Sequence, residues 1–513
     1  MYFKLLLIAG LLFTRFWGIN WAGGFHFHPD ENNMAWAVDR LSWDNFNPDF
    51  FAYGQFPLYL SFLSKQLIPA DSHLHLRFWS AFFSGLTVIV GYLLAKEVFK
   101  SQKWASITGL LLIFTPGLIQ MSHFGTTESL LTFVGISSAY LAVKYYDTQK
   151  IKYLILSSLV SAIGIAGKLN AVLFLLGPFL AVIIKPKRFR RLIPWGASTI
   201  LLTALFSPYY LLEFRNFWGT FKYESNLARG LTQVFYMRQF INTQPFLFQF
   251  KKILPWVLGL PMFTFLFIGL FFVILKSLPS LKNPLKGIKS TPATSYLLLA
   301  TFTPWFIFNS LLFAKWTRFT TPILPFLILF IVFFLKKSKL LVTNYLLLIT
   351  LFMLILPGIL FIKIYFQPDI RVRACQWMNK NLPEGSVIVY EGGNIIDLPR
   401  FDHDKFETIN IDFYHLDERG DQQEKLSAAL DQADYFFSPS RRMFTNHLRL
   451  SDRYPVTANF YHDLFSGELG FNQVRTFRPF GTVGQFLLGS DLNAEETWTV
   501  FDHPTLRLWK KQK

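Results

Sequence analysis

"MYFKLLLIAGLLFTRFWGINWAGGFHFHPDENNMAW", residues 1–36, sets an apolar run of helical character directly against two histidines, an aspartate and a glutamate. The run at 2–20 is long enough to cross a bilayer and has no convincing small-x-small cleavage site behind it. It is therefore expected to be a retained first span and not a signal peptide. Ten further apolar runs follow at roughly 76–95, 104–121, 126–146, 152–167, 169–184, 192–212, 255–276, 295–314, 321–336 and 341–363. Of the 513 residues 52% are hydrophobic and 59 are phenylalanine, with a mean hydropathy of +0.32. Such a composition lies outside that of soluble domains and indicates an integral membrane protein.

Charge gives the threading. Basic clusters occupy alternate gaps between the runs: "KEVFKSQK" at 96–103, "KYYDTQKIK" at 144–152, "KPKRFRR" at 185–191, "KSLPSLKNPLKGIK" at 276–289 and "KKSK" at 336–339. Loops rich in Lys and Arg stay on the cytoplasmic side. With about eleven transmembrane helices this places the N-terminus in the cytoplasm and everything after 363 outside, in a multi-pass protein of the plasma membrane. Two external loops are long, 21–75 and 213–254. The tail carries 17 basic and 21 acidic residues, a net of −4, so the remaining 33 basic and 11 acidic residues leave +22 on the membrane part. The formal charge of +18 is thus a topology signal. It is dispersed among loops, unlike a nucleic-acid footprint, and no nucleic-acid partner is expected.

The expected fold is a polytopic α-helical membrane domain over 1–364 followed by an extracytoplasmic α/β domain over 365–513. In the tail, "PDIRVRACQWMNKNLPEGS" reads as a helix stopped at a turn, with the strand "VIVY" after it, and "QQEKLSAALDQADYFFSPS" repeats that order. The tail has no glycine-rich phosphate loop, nucleophile elbow or HExxH, so a structural or acceptor-shaping cap is its plain reading. The lone cysteine, Cys375, excludes an intramolecular disulfide framework.

Chemistry concentrates at the outer face. In "DENNMAWAVDRL", Met34, Val38 and Leu41 form one helical stripe, and Asp30 stands where a side chain caps free backbone N–H groups. A carboxylate at a helix N-terminus is both positioned and kept ionised, which suits a general base. Pro29 pushes His28 toward an extended conformation. His26, His28 and Asp30 alternate and could share one face as metal ligands, although interfacial histidines more often hydrogen-bond to backbone or lipid headgroups. Glu128 follows Thr126 and Thr127 at the start of a span, where threonine capping competes with a functional role for a carboxylate so close to hydrocarbon. Lys168, Lys315 and Arg318 stand on the side where cations are disfavoured. Snorkelling to headgroups is one explanation, and a bound phosphate is another.

Several stretches together resemble the GT-C superfamily of glycosyltransferases, in particular the protein O-mannosyltransferases and the aminoarabinose transferases. They are "FHFHPDE", "FFAYGQFPLYL", "SHFGTTESLLTF", "AGKLNAVLFLLGP", "SPYYLLEFRNFW", "RFTTPILP", "CQWMNKNLPEGSVIVYE" and "DHPTLRLWKK". The resemblance implies an inverting transferase that takes a sugar from a polyprenyl-phosphate donor and passes it to a protein, lipid or glycan acceptor. Asp30 would be the base, with Glu31 and Glu128 orienting hydroxyls, and Lys168, Lys315 and Arg318 would bind the donor phosphate. His28, Tyr53, Gln55, His123 and Glu224 are expected along the acceptor or sugar path, and the mannosyl-transferring members need no cofactor or metal. Glu128 and Phe319 stand where the family usually has Asp and Tyr, which leaves the sugar open. A transporter or flippase of lipid-linked sugars is the alternative, weakened by the absence of paired interrupted helices and by the long tail. A non-catalytic sensor is a further one.

Overall fold

The described parts of the eleven apolar runs are largely helical. The computed structural model describes residues 2–184, 186–277, 293–338, 344–393 and 396–512. Lys185, residues 278–289 of the basic cluster at 276–289 and Lys339 of that at 336–339 lie outside them. Among the described residues only Lys4–Gly24, Ser72–Phe99, Thr317–Lys337 and Asn344–Tyr365 are continuous helical stretches long and apolar enough to cross a membrane. A fifth is added if the pair Gln102–Ile113 and Pro116–His123, bent by 54°, counts as one span. Of the remaining runs, those in Glu128–Thr148 and Ala293–Leu311 are continuous helices of 21 and 19 residues that fall short in apolarity, and others are interrupted: Lys168 separates Ile151–Gly167 from Leu169–Leu175, and Gly259 separates Leu254–Leu258 from Leu260–Ser277.

At the 54° bend, Pro116 removes a backbone donor and ends the preceding helix. The carbonyls freed there are capped by Arg15, whose guanidinium reaches Leu112 O at 2.9 Å and Ile113 O at 3.0 Å. Helix Asn344–Phe361 lies against the same corner. A Cβ on Gly358 would stand 1.9 Å from Phe114 O, so only glycine fits there.

The chain divides into two units. The first holds 1–19, 30–232 and 243–362, and its helices gather the basic segments at one end. Lys144 pairs with Glu97 at 2.8 Å, Lys336 donates to Phe99 O at 3.0 Å, and Arg191 donates to Gln149 O at 3.1 Å. These links join four of the five basic clusters. Glu128, sixteen residues before Lys144 on helix Glu128–Thr148, is therefore about 24 Å away along the axis.

The second unit holds 363–513 together with 20–29 and 233–242, so its membership is wider than a tail beginning at 365. Its five-stranded sheet has the order β2-β1-β3-β5-β4. β1 (Val387–Glu391), β2 (Glu407–Ile411) and β3 (Tyr435–Ser438) run parallel, and β5 (Leu506–Lys511) runs antiparallel to β3 and to β4 (Phe471–Phe477). Alternate residues face opposite sides. Ile388, Phe437 and Leu508 pack with helix Ile370–Asn381, whereas Val389, Phe436 and Trp509 pack with Phe460 and Tyr461 of helix Pro455–Ser466. The two remote segments join this unit through polar anchors. Arg238 donates to His447 Nε2 at 2.8 Å and to Glu418 at 3.0 Å, Gln239 donates to Glu495 at 2.7 Å, and Arg371 lies 3.4 Å over the Phe27 ring.

Glu391, at the end of β1, is buried against Ser438 Oγ and Tyr461 OH. Ser438 has one proton and also meets Ser440 O at 2.9 Å, so a proton on Glu391 completes the set. Burial pushes this carboxyl up to about 8, with Asp397 adding to the rise while Ser438, Tyr461 and Arg507 oppose it. A raised carboxyl value means that the second unit is most stable below the ordinary glutamate range and loses stability as pH climbs toward 8. Glu391→Gln keeps the shape and supplies a permanent donor. Its sheet amides should match the parent in hydrogen exchange at pH 4 and be better protected at pH 8, by up to roughly 1.4 kcal/mol per pH unit between. Equal protection at pH 8 contradicts the neutral carboxyl.

Candidate functional site

Helix Pro29–Asp39 starts one residue earlier than the capping reading expects, so Asp30 and Glu31 both lie in its first turn. Met34, Val38 and Leu41 form its buried stripe. Successive side chains on a helix point about 100° apart, and these two carboxylates part company. Glu31 is fully buried and takes a two-pronged bond from Arg77, Nε to Oε1 at 2.6 Å and Nη2 to Oε2 at 2.7 Å. Oε1 also accepts the Gly125 N–H at 2.8 Å. Glu31 thus pins three segments together, an assignment different from the hydroxyl-orienting one expected of it. His73 Nε2 meets Asn32 Oδ1 at 2.9 Å on the same helix, while its Nδ1 meets Asp71 at 2.9 Å. Asp30 turns the other way and pairs with Arg318, with 26% of its side chain exposed.

Arg318 belongs to the stretch that follows helix Ala293–Leu311. Trp316 is extended, the turn Thr317–Thr320 follows, and Trp305 Nε1 donates to Phe319 O at 2.8 Å to hold it. The guanidinium lies over Trp316 at 4.8 Å and beside Phe319 at 5.8 Å. Lys315 is buried and donates to Thr243 Oγ1 at 3.2 Å and to Phe313 O at 3.0 Å. Burial lowers its ammonium to about 8, and among the described residues no carboxylate forms an ion pair with it.

Lys168 also lies near the Phe319 ring. It is extended between helix Ile151–Gly167 and the turn Leu169–Leu175, so its side chain leaves the helix stack. The ammonium sits 4.9 Å from the Tyr53 ring, 5.3 Å from the Phe319 ring and 3.3 Å from Glu128 Oε1. Two carboxylate–cation pairs, Asp30–Arg318 and Glu128–Lys168, thus share the Phe319 ring as a neighbour. Tyr53 is placed by its neighbours: Gly54 N–H donates to Gly167 O at 2.9 Å, Gln55 N–H to Ser207 Oγ at 2.9 Å, and Tyr209 N–H to Gln55 Oε1 at 3.0 Å.

A Cβ on Gly54 would lie 1.9 Å from Ala166 O, a backbone atom that cannot swing away. Gly54→Ala is expected to push Tyr53 off Lys168 and to cut activity several-fold, whereas Gly85→Ala, with no atom within 4 Å of its added methyl, is the matched control. Comparable activity in the two variants contradicts this docking.

Three buried polar atoms here have no hydrogen-bond partner among the described residues: Glu128 Oε2, Thr127 Oγ1 and Gln55 Nε2. Thr127 occupies the cap position of helix Glu128–Thr148 without making a cap bond, so the capping reading is not realised. Glu224, on helix Phe214–Arg229, is open to solvent on one side. Desolvation on the other raises its carboxyl and the Lys168 charge opposes the rise.

Two expected residues take other partners. His123 has Nδ1 on Ile119 O at 2.8 Å and Nε2 on Trp17 O at 2.9 Å, tying the first helix to Pro116–His123. His28, like His26, falls in the second unit, where its ring lies 4.2 Å from that of Phe501. Arg77 and the stacking residue Trp316 went unremarked in the sequence. Arg77 had a signal, since a lone arginine in an apolar helix such as Ser72–Phe99 demands a partner.

Residues 56–211 match the family model described as dolichyl-phosphate-mannose-protein mannosyltransferase. Among solved structures, the oligosaccharyltransferase of Archaeoglobus fulgidus in its apo form is 13% identical, covering 89% of this chain and 72% of that one with a TM-score of 0.50. ArnT from Cupriavidus metallidurans in the apo state is 13% identical, covering 88% of this chain and 94% of that one with a TM-score of 0.47. A second structure of that ArnT is bound to undecaprenyl phosphate. No curated protein matches the chain by sequence.

Proposed function

We propose that this chain, a member of the GT-C superfamily of the mannosyltransferase and ArnT type, moves a sugar from a polyprenyl-phosphate donor to an acceptor at the outer membrane face. Asp30 takes the proton of the acceptor hydroxyl, and the oxygen attacks the anomeric carbon from the side opposite the phosphate. The C–O bond to phosphate breaks with inversion, and the electron pair leaves on the phosphate. Lys168, Lys315 and Arg318 stabilise the charge that builds there. Glu128 and Gln55 have an open acceptor oxygen and open amide donors for sugar or acceptor hydroxyls, and Glu224 stands at the rim. Histidines 26 and 28 have no part in this chemistry, which needs no metal.

The observation that carries the reading is the pair of carboxylate–cation couples whose cations both lie within 6 Å of the Phe319 ring. They stand far along the helices from the end where the basic clusters gather. Loops of that kind mark the cytoplasmic side, so the couples face outward, with eleven crossings and an external second unit completing the topology. The test uses the purified full chain supplied with a lipid extract of its own host cells, following release of polyprenyl monophosphate by mass spectrometry. Release by the parent that continues with a chelator present is the expected result. No release beyond that of a blank overturns the reading.

A further inference from the structure

Of the three cations that the proposed function assigns to the donor phosphate, two are already neutralised. Arg318 is held by Asp30 and Lys168 by Glu128, while among the described residues Lys315 meets a hydroxyl, a carbonyl and the Phe313 ring but no carboxylate. A buried ammonium without a counter-charge is costly, and an arriving anion relieves that cost. Lys315 is therefore where the phosphate lands first. Arg318 is three residues further along the same turn, flat against Trp316 and Phe319. A guanidinium fork in that posture presents its N–H groups in one plane, and a carboxylate and a phosphate compete for them.

Asp30 and Glu31 are neighbours, and each pairs with an arginine. Glu31–Arg77 has side-chain exposures of 0% and 1% and is bonded through both oxygens. Its dissociation would strand a charge in the interior. Asp30–Arg318 has exposures of 26% and 20% and lies open enough to exchange. While it holds, the base has a cation on one oxygen, and that charge opposes the arrival of an acceptor proton.

We infer that the donor phosphate unlocks the base: it draws Arg318 off Asp30, so that acceptor deprotonation follows donor binding. This rests on the proposed function and adds an order of events to it. Acceptor arriving first meets an occupied carboxylate. Asp30 is then a competitor of the donor as well as a participant in the transfer.

The test is equilibrium binding of polyprenyl monophosphate to the purified full chain. Asp30→Asn removes the charge that competes for Arg318 and should bind about two- to fivefold more tightly than the parent, the scale of a partly exposed ion pair. Asp30→Glu should stay near the parent, Arg318→Gln should bind more weakly, and adding Asp30→Asn to Arg318→Gln should change nothing further. Equal or weaker binding by Asp30→Asn, with the parent binding normally, overturns the exchange and leaves the donor reading standing. A parent that fails to bind the lipid overturns both. A structure of the parent with polyprenyl monophosphate decides independently of how any variant folds: Arg318 on the phosphate and away from Asp30 supports the exchange, and an intact Asp30–Arg318 pair overturns it.

Discussion

Asp30→Asn is expected to lower the single-turnover rate of sugar transfer by about 10²- to 10⁴-fold, the usual worth of a positioned general base. The change is isosteric and sits on a helix already fixed by its neighbours, through Glu31 on Arg77 and Asn32 on His73. Folding and membrane insertion should therefore stay as in the parent, which separates lost chemistry from lost protein. Asp30→Glu keeps the charge but moves it by one methylene, and should retain a measurable part of the rate. Transfer by Asp30→Asn within twofold of the parent removes Asp30 from the role of base.

The second large effect is on stability. Arg77→Met leaves Glu31, at 0% exposure, with a buried charge that has lost its two-pronged partner. Breaking such a pair from one side costs about 3–5 kcal/mol. The purified variant should melt well below the parent, and Glu31→Gln added to it should recover part of the loss by removing the stranded charge. An unchanged melting point contradicts the locked pair. Recovery of stability without recovery of full activity would be informative as well, because Gly125 precedes Glu128 by three residues and its N–H is held by Glu31.

Much of this arrangement was legible in the sequence, and the parts that were not have definite causes. Apolar runs give helices because a buried backbone in lipid must satisfy itself internally, and the described parts of the eleven runs are largely helical. The gap at Lys168 is already present between the runs 152–167 and 169–184, but hydropathy sums do not register a bend, so the breaks at Pro116 and Gly259 were invisible in run lengths although the residues themselves are breakers. Spacing within "HPDE" cannot tell which of two adjacent carboxylates meets Arg77 and which meets Arg318, since both partners come from distant segments. The same holds for His123, whose ring bonds are to carbonyls of Ile119 and Trp17. Nothing local marks 233–242 as part of the second unit either. Arg238 and Gln239 find His447, Glu418 and Glu495 across some two hundred residues of chain.

The central claim is that this site consumes a polyprenyl-phosphate sugar, and the lipid pool of the cell reports on it directly. Mass spectrometry of lipid extracts from cells whose only copy carries Asp30→Asn should show one polyprenyl-phosphate-linked sugar accumulating over the parent, and its mass identifies the sugar. A polyprenyl-phosphate pool identical to the parent's would contradict the account.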